Sequence, residues 1–292
     1  MLAGRASRTA QHNAVFRTVE SSLPDKERLF EDSMAERFLW WPLSAVRPLC
    51  RVPGGSRLAS RVIDWRWPGV RTSVVARTRL IDDTVGAFED GQLGQLVVLG
   101  AGFDTRPYRL PRLQSIPVFE VDHPDTQAVK RQVLQRILSE VPDTVTFVGV
   151  DFAADSLGTS LHLAGYSANR PTVILWEGVT NYLSAEAFFS TLDWCAQAAP
   201  RATLLFTYVH ADVLRRPESF AGARQLHATL GKAGERFTFG LDPTDMKDQL
   251  VQRGMQLEWD LGCTEYRERY YGVRAAAMVG HEFYRVALAT RM

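Results

Sequence analysis

Leu96-Val97-Val98-Leu99-Gly100-Ala101-Gly102-Phe103-Asp104-Thr105-Arg106 is the stretch whose reading decides the fold. Four consecutive apolar residues run into two glycines one residue apart. A central strand of a parallel sheet is buried on both faces and has this continuous apolar pattern. Glycines at its exit let the backbone turn sharply and approach a ligand with no side chain between. Asp104 or Thr105 suits the cap of a following helix, and Pro107 suits its first turn. The unit expected is strand, glycine loop, helix, with a small molecule at the strand's carboxyl end.

The next strand, Pro117 to Asp122, ends in an acid about 20 residues past the glycines, where a carboxylate accepts the two hydroxyls of a ribose. The third glycine of the dinucleotide pattern is absent, and Thr105 stands in its place. A dinucleotide uses that glycine and a free helix N-terminus for its pyrophosphate. S-adenosylmethionine carries ribose and adenine but no phosphate, so the loop leans toward the methyl donor over NAD.

Outward from this centre the chain alternates strands with helices. Thr146–Asp151 and Thr172–Glu177 are further strands ending in acids, Ala202–Tyr208 is a fifth, and Leu257–Leu261 and Phe283–Ala289 close the series. Helices are expected at Gln127–Glu140 and Ala185–Ala198. Residues 212–245 form a polar, glycine-broken, mostly helical insertion before the last strands. The pattern implies an α/β, doubly wound sheet with an antiparallel strand among the last ones. Residues 1–85 form a helical annex, a candidate lid over the site, and 86–292 the sheet domain. Within the annex, Thr9–Glu20 and Phe30–Trp41 have helical spacing, and the amphipathic Val74–Ala87 leads into the glycine strand. Trp40, Trp41, Trp65 and Trp67 crowd this region, either packing the annex onto the domain or lining an apolar acceptor site.

Composition bounds the function. The 292 residues are 46% hydrophobic and 23% charged, with a net charge of +1. That balance argues against a dedicated nucleic-acid surface. Cys50, Cys195 and Cys263 are too few and too scattered for a disulfide framework or a zinc site, so no metal is expected and a reducing cytoplasm is. No apolar run reaches transmembrane length, and no membrane partner is expected. The first 19 residues carry Arg5, Arg8 and Arg17 without an acid, a pattern shared with transit peptides.

Glycines and acids thus recur at the same end of successive strands, and in an open α/β sheet those ends converge on one crevice. Taken with Thr9-Ala10, Ala14 and Arg17, Glu31–Glu36, Val75–Arg79, the glycine motif extended through Tyr108-Arg109-Leu110, Val150-Asp151-Phe152 and Trp176–Leu183, the sequence resembles the leucine carboxyl methyltransferase-like family of S-adenosylmethionine-dependent methyltransferases. Its bacterial branch holds O-methyltransferases and tetracenomycin-type carboxyl methyltransferases. The resemblance implies a class I, Rossmann-like methyltransferase sheet. It implies that Arg77 holds the methionine carboxylate and that Gly100, Ala101 and Gly102 back the cofactor. It further implies that Asp122, followed by His123, takes the ribose, that Asp151 and Phe152 take the adenine, and that Glu177 and Gly178 lie at the methionine end. Ser33 stands where the family usually has proline, and Pro42–Trp67 matches none of its motifs.

Methyl transfer from a sulfonium is an in-line displacement, to which the enzyme contributes mainly alignment. A carboxylate acceptor is ionised at neutral pH and needs no base; a phenol or alcohol is helped by one. His123, Tyr208 and His210 are the candidate bases, and none stands out. Three functions follow: carboxyl methylation of an apolar small molecule, hydroxyl methylation, and a non-catalytic cofactor-binding regulatory subunit. A protein C-terminus ranks lower as acceptor. The residues do not specify the oligomeric state.

Overall fold

The computed structural model describes residues 8–89, 91–152 and 155–292; Arg5 lies outside them. Seven strands make one sheet: β1 (Gln95–Leu99), β2 (Val118–Asp122), β3 (Val145–Gly149), β4 (Thr172–Trp176), β5 (Ala202–Val209), β6 (Met255–Gly262) and β7 (Tyr284–Arg291). Their order is β3-β2-β1-β4-β5-β7-β6. The first five are parallel, and β7 runs antiparallel between β5 and β6. The order reverses between β1 and β4, so the crevice of an open α/β sheet opens at the end of β1, where the two glycines sit.

The sheet is buried on both faces, as its continuous apolar strands require. Val97, Leu99, Ile174, Trp176, Phe206 and Tyr208 lie in one core, shared with helices Leu157–Leu163, Ala185–Gln197 and Pro243–Val251. The alternate residues Leu96, Val98, Val173, Leu175 and Leu205 lie in the other, under helices Val70–Ala87 and Cys263–Tyr271. Strand alternation therefore assigns each β5 side chain to a face. It sends Tyr208 into the first core and Thr207 to the opposite side.

Several expected elements are redrawn. Phe30–Trp41 is not a helix; only Ala35–Phe38 forms a 3₁₀ turn. Asp32 ends regular structure there, because its Oδ1 accepts the amides of Met34 and Ala35 while its Oδ2 takes Arg17 and Thr105. The helix after the glycine loop is a single turn, Arg106–Arg109, and the Thr105 side chain does not cap it. Instead Asp104 Oδ1 accepts the Arg106 amide at 2.8 Å. Strand β3 ends at Gly149, so Asp151 lies in the following loop, its amide held by Asp155 Oδ2 at 2.8 Å. The helix read as amphipathic from Val74 begins at Val70 and is buried over most of its circumference, since it runs between the sheet and helix Arg8–Ser21. In the insertion, Gly222 and Gly234, both at positive φ, bound the helix Ala223–Ala233.

The tryptophans divide. Trp40 meets Phe103 edge-on, but Trp41 and Trp65 are 78% and 80% exposed, so neither packs the annex down nor lines a cavity. Arg17, read both as part of a basic leader and as a residue of the family pattern, is buried and bonded to Asp32, Thr105 Oγ1 and the Phe103 carbonyl. No helix among the described residues is long and apolar enough to cross a membrane.

Candidate active site

A cavity of about 390 Å³ opens at the carboxyl ends of β1 to β4. Gly100, Ala101, Gly102, Asp122, His123, Asp151, Phe152, Glu177, Gly178 and Arg77 all line it. These ten residues come from five separate segments, and the sheet topology brings them together. Gly100 has a φ of +66°, and a Cβ there would stand 2.2 Å from Val179 Cγ2, so the loop excludes any side chain at that point.

Asp122 holds the loop as well as facing the cavity. One carboxylate oxygen accepts the Gly102 amide and the other accepts the His123 amide at 2.7 Å. Burial pushes this carboxyl up, against the pull of the two amides. The His123 ring serves its own helix, since its Nδ1 accepts the Asp125 amide and caps the helix Pro124–Ile137.

Behind the cavity runs a buried ionic network. Arg77 Nε donates to Glu177 Oε1 at 2.8 Å, and Arg106 donates to Glu177 Oε2 at 2.8 Å. Arg106 also holds Asp82 and Asp104, each at 2.7 Å, and Arg109 closes on Asp82 from the other side. Burial raises the Glu177 carboxyl, but Arg106 and Arg77 outweigh it and keep it below its usual range. Glu177 is thus an ionised strut that fixes Arg77, with the outer nitrogens of that guanidinium left to a further partner. The acid at the end of β4 was legible as a site residue; its pairing with two arginines was not. Asp82, Asp104 and Arg106 were missed as a unit because no local spacing relates a helix, a loop and a one-turn helix. The one available signal was the unusual density of Arg and Asp around the glycine motif.

Asp104 gives this network a pH signature. Burial raises its carboxyl, yet Arg106 and then Lys130 pull it down to about 2, from an ordinary 3.8. A depressed carboxylate contributes stability above its unfolded value and loses it as pH falls through the folded one. Acid unfolding is therefore expected to steepen between about pH 4 and pH 2, and Asp104→Asn should flatten that segment in a urea series.

Two candidate bases do not reach the cavity. Tyr208 is 1% exposed, does not line the cavity, and donates to Asp260 Oδ2 at 2.6 Å. His210 accepts the Asp212 amide through Nδ1, and its ring meets Phe220 at a tilt of 52°. Tyr208→Phe and His210→Ala are expected to keep turnover within about threefold of the parent, in a methyl-transfer assay normalised to folded protein.

A smaller, largely apolar chamber of about 90 Å³ adjoins the first. Phe16, Trp67, Val70, Leu226, Leu230 and Tyr284 form its walls, so it joins helix Arg8–Ser21, the annex, the insertion and β7. The two chambers share Thr9, Asn13, Val74, Arg77, Gly178 and Tyr182. His281 also lines the small chamber; burial pushes it down to about 4, so its imidazole is neutral. Of the tryptophans read as candidate walls of an apolar acceptor site, Trp67 lines this chamber; its other walls were not anticipated, because they come from regions far apart in the chain.

Sheet order, crevice and glycine loop define the class I, Rossmann-like methyltransferase fold. The solved structure of a DUF574 family protein from Streptomyces avermitilis superposes with a TM-score of 0.64 over 100% of both chains, at 12% identity, and shows the same fold. Residues 10–196 match the family model described as leucine carboxyl methyltransferase, and the chain belongs to that family. A Mycolicibacterium gilvum protein named "Putative S-adenosyl-L-methionine-dependent methyltransferase" is 39% identical over 137 residues, 47% of this chain and 44% of the relative. A Streptomyces coelicolor protein of the same description is 29% identical over 290 residues, 94% of this chain and 90% of the relative. The aligned chain spans about half the length of the more identical curated relatives.

Proposed function

We propose that this chain is an S-adenosylmethionine-dependent O-methyltransferase whose acceptor is a carboxylate on an apolar small molecule. The observation that carries the reading is the order of groups along the crevice. Strand order places Asp151 beyond β3, Asp122 on β2, the glycine loop after β1, and Glu177 with Arg77 beside β4. That row runs in the sequence adenine, ribose, sulfonium and amino-acid carboxylate. An acid suits an amino group or hydroxyls, and an arginine fork suits a carboxylate. A cavity of this size is in the range of small-molecule sites.

Bound there, the donor supplies an electrophilic methyl group. The chain's own part is alignment. Arg77, fixed by Glu177, holds one end of the donor, and Asp122 with the glycine loop holds the middle. Held in this way, the donor would present its methyl group toward the six residues shared with the apolar chamber, and that chamber would receive the acceptor. None of the six residues shared by the two chambers titrates near neutrality. Tyr182 is pushed up to about 12 by burial, Arg77 stays charged, and the other four do not ionise. This favours an acceptor oxygen that arrives already ionised, as a carboxylate does. The Asn13 amide borders both chambers and is placed to orient it.

One observation favours a hydroxyl instead: His12 stands on the wall of the apolar chamber and is a candidate base. The test is transfer of labelled methyl from the donor to a panel of apolar carboxylic acids and phenols. Label released as methanol by mild alkali supports the ester. Alkali-stable label, lost in His12→Ala, supports the ether. Binding of S-adenosylhomocysteine with no transfer to any acceptor supports a non-catalytic subunit.

A further inference from the structure

The segment that matches no family motif carries an unusual surface. Residues 43–71 contain six arginines, no lysine and one acid, Asp64, in a chain whose net charge is only +1. Within it the helix Gly55–Arg66 buries Ser56, Ala59, Ser60 and Ile63. Leu58, Val62 and Trp65 face the other way, and are 53%, 52% and 80% exposed. Spaced at i, i+4 and i+7, they form one apolar stripe. At 100° per residue Arg61 lies along one flank of the stripe and Arg66 along the other. Both are exposed, and neither has a carboxylate partner among the described residues. Asp64, the segment's single acid, is already bonded to Arg71. Half-exposed Val52 packs at the start of the helix, against Gly55.

We infer that this helix face docks on an anionic lipid surface, with Leu58, Val62 and Trp65 in the interfacial layer and the flanking arginines on the headgroups. A helix with an apolar face containing tryptophan, bordered by basic residues, is the form that lies in a bilayer interface. Tryptophan suits that zone because one end of its ring is apolar and the other polar. Two arginines without a carboxylate partner complement a negative surface, whereas a second copy of the same basic face would repel them. The structure adds a connection to the site. The helix ends at Arg66, and the next residue, Trp67, is a wall of the apolar chamber. Docking brings that chamber close to the lipid, so its acceptor is an amphipathic acid taken from the bilayer. This last point rests on the transferase reading; the docking does not.

The test is flotation of the full chain with phosphatidylcholine vesicles and with vesicles in which roughly a third of the lipid is phosphatidylglycerol, at low and at physiological salt. Binding to the anionic vesicles on the order of tenfold stronger than to neutral ones is expected, weakening as salt rises. Val62→Glu/Trp65→Glu should abolish it, and Arg61→Gln/Arg66→Gln should cut it several-fold. All four positions are exposed, so the variants should bind S-adenosylhomocysteine as the parent does; that control separates failure of docking from failure of the donor site. Absence of vesicle binding overturns the inference, as does equal binding to neutral vesicles. A dimer seen in sedimentation, dissolved by Trp65→Glu and indifferent to lipid, overturns it in favour of self-association.

Discussion

Replacing Arg106 by methionine is expected to cost about 3–5 kcal/mol of stability, the range for removing one partner of a buried ionic group. Arg106 is 3% exposed and its guanidinium touches Asp82, Asp104 and Glu177. These carboxylates are not equally dependent on it. Asp82 keeps Arg109 and Glu177 keeps Arg77, while Asp104 has no second ion pair among the described residues. Most of the loss should therefore trace to Asp104, left buried and charged. Two consequences separate this account from simple loss of packing. Arg106→Met/Asp104→Asn should recover part of the stability, a coupling a double-mutant cycle reads directly. The pH dependence attributed to Asp104 should also weaken. Without Arg106 the carboxyl loses its strongest cationic partner and moves up, so less stability is lost as pH falls from about 4 to about 2. Guanidinium midpoints at about pH 7 and about pH 3 for the four proteins are the measurement. A loss below about 1 kcal/mol in the single variant would mean that the network contributes little net energy.

The fold was legible wherever burial on both faces forced one reading. Strands β1, β2, β4 and β5 are buried at every residue and mostly apolar, and their expected limits fall within a residue of those observed. Half-exposed β3 was placed one residue late and ended two residues too far on, because Val150 and Asp151 extend its pattern past the turn at Gly149. Phe30–Trp41 misled for a different reason. Its apolar spacing is real, and Phe30 and Phe38 are buried, but a single aspartate turned to distant partners redirects the backbone. The cavity's floor followed from strand ends, since topology alone brings those together. Its rear network did not, and of the apolar chamber only the Trp67 wall was foreseen, because both depend on side chains meeting across long stretches of chain. Tyr208 shows the limit from the other side: its position at a strand end suggested the site, but its ring is packed in the core under the helices and its hydroxyl is bonded to Asp260 on β6.

Asp122→Ala is expected to weaken S-adenosylhomocysteine binding by roughly a hundredfold. Two charge-assisted hydrogen bonds to ribose hydroxyls are together worth about 3 kcal/mol or more, and about 1.4 kcal/mol is a factor of ten. Loss of affinity alone would be ambiguous. The same carboxylate holds the amides of Gly102 and His123, so its removal also loosens the loop beneath the ligand. An analogue lacking both ribose hydroxyls resolves the two roles. In the parent it should bind about a hundredfold more weakly than the complete nucleoside. In Asp122→Ala the complete compound and the analogue should bind alike, because the group that distinguished them is gone. If Asp122 only braces the loop, both ligands weaken by the same factor and the discrimination survives. Asp122→Asn sharpens the comparison: its one carbonyl oxygen can keep a single backbone amide, and the charge is lost. Calorimetry on three proteins and two ligands then assigns the acid at the end of β2 either to the ribose or to the loop. Discrimination persisting in the alanine variant would remove the ribose contact from the proposed donor site, and with it the ordering of groups on which the transferase reading stands.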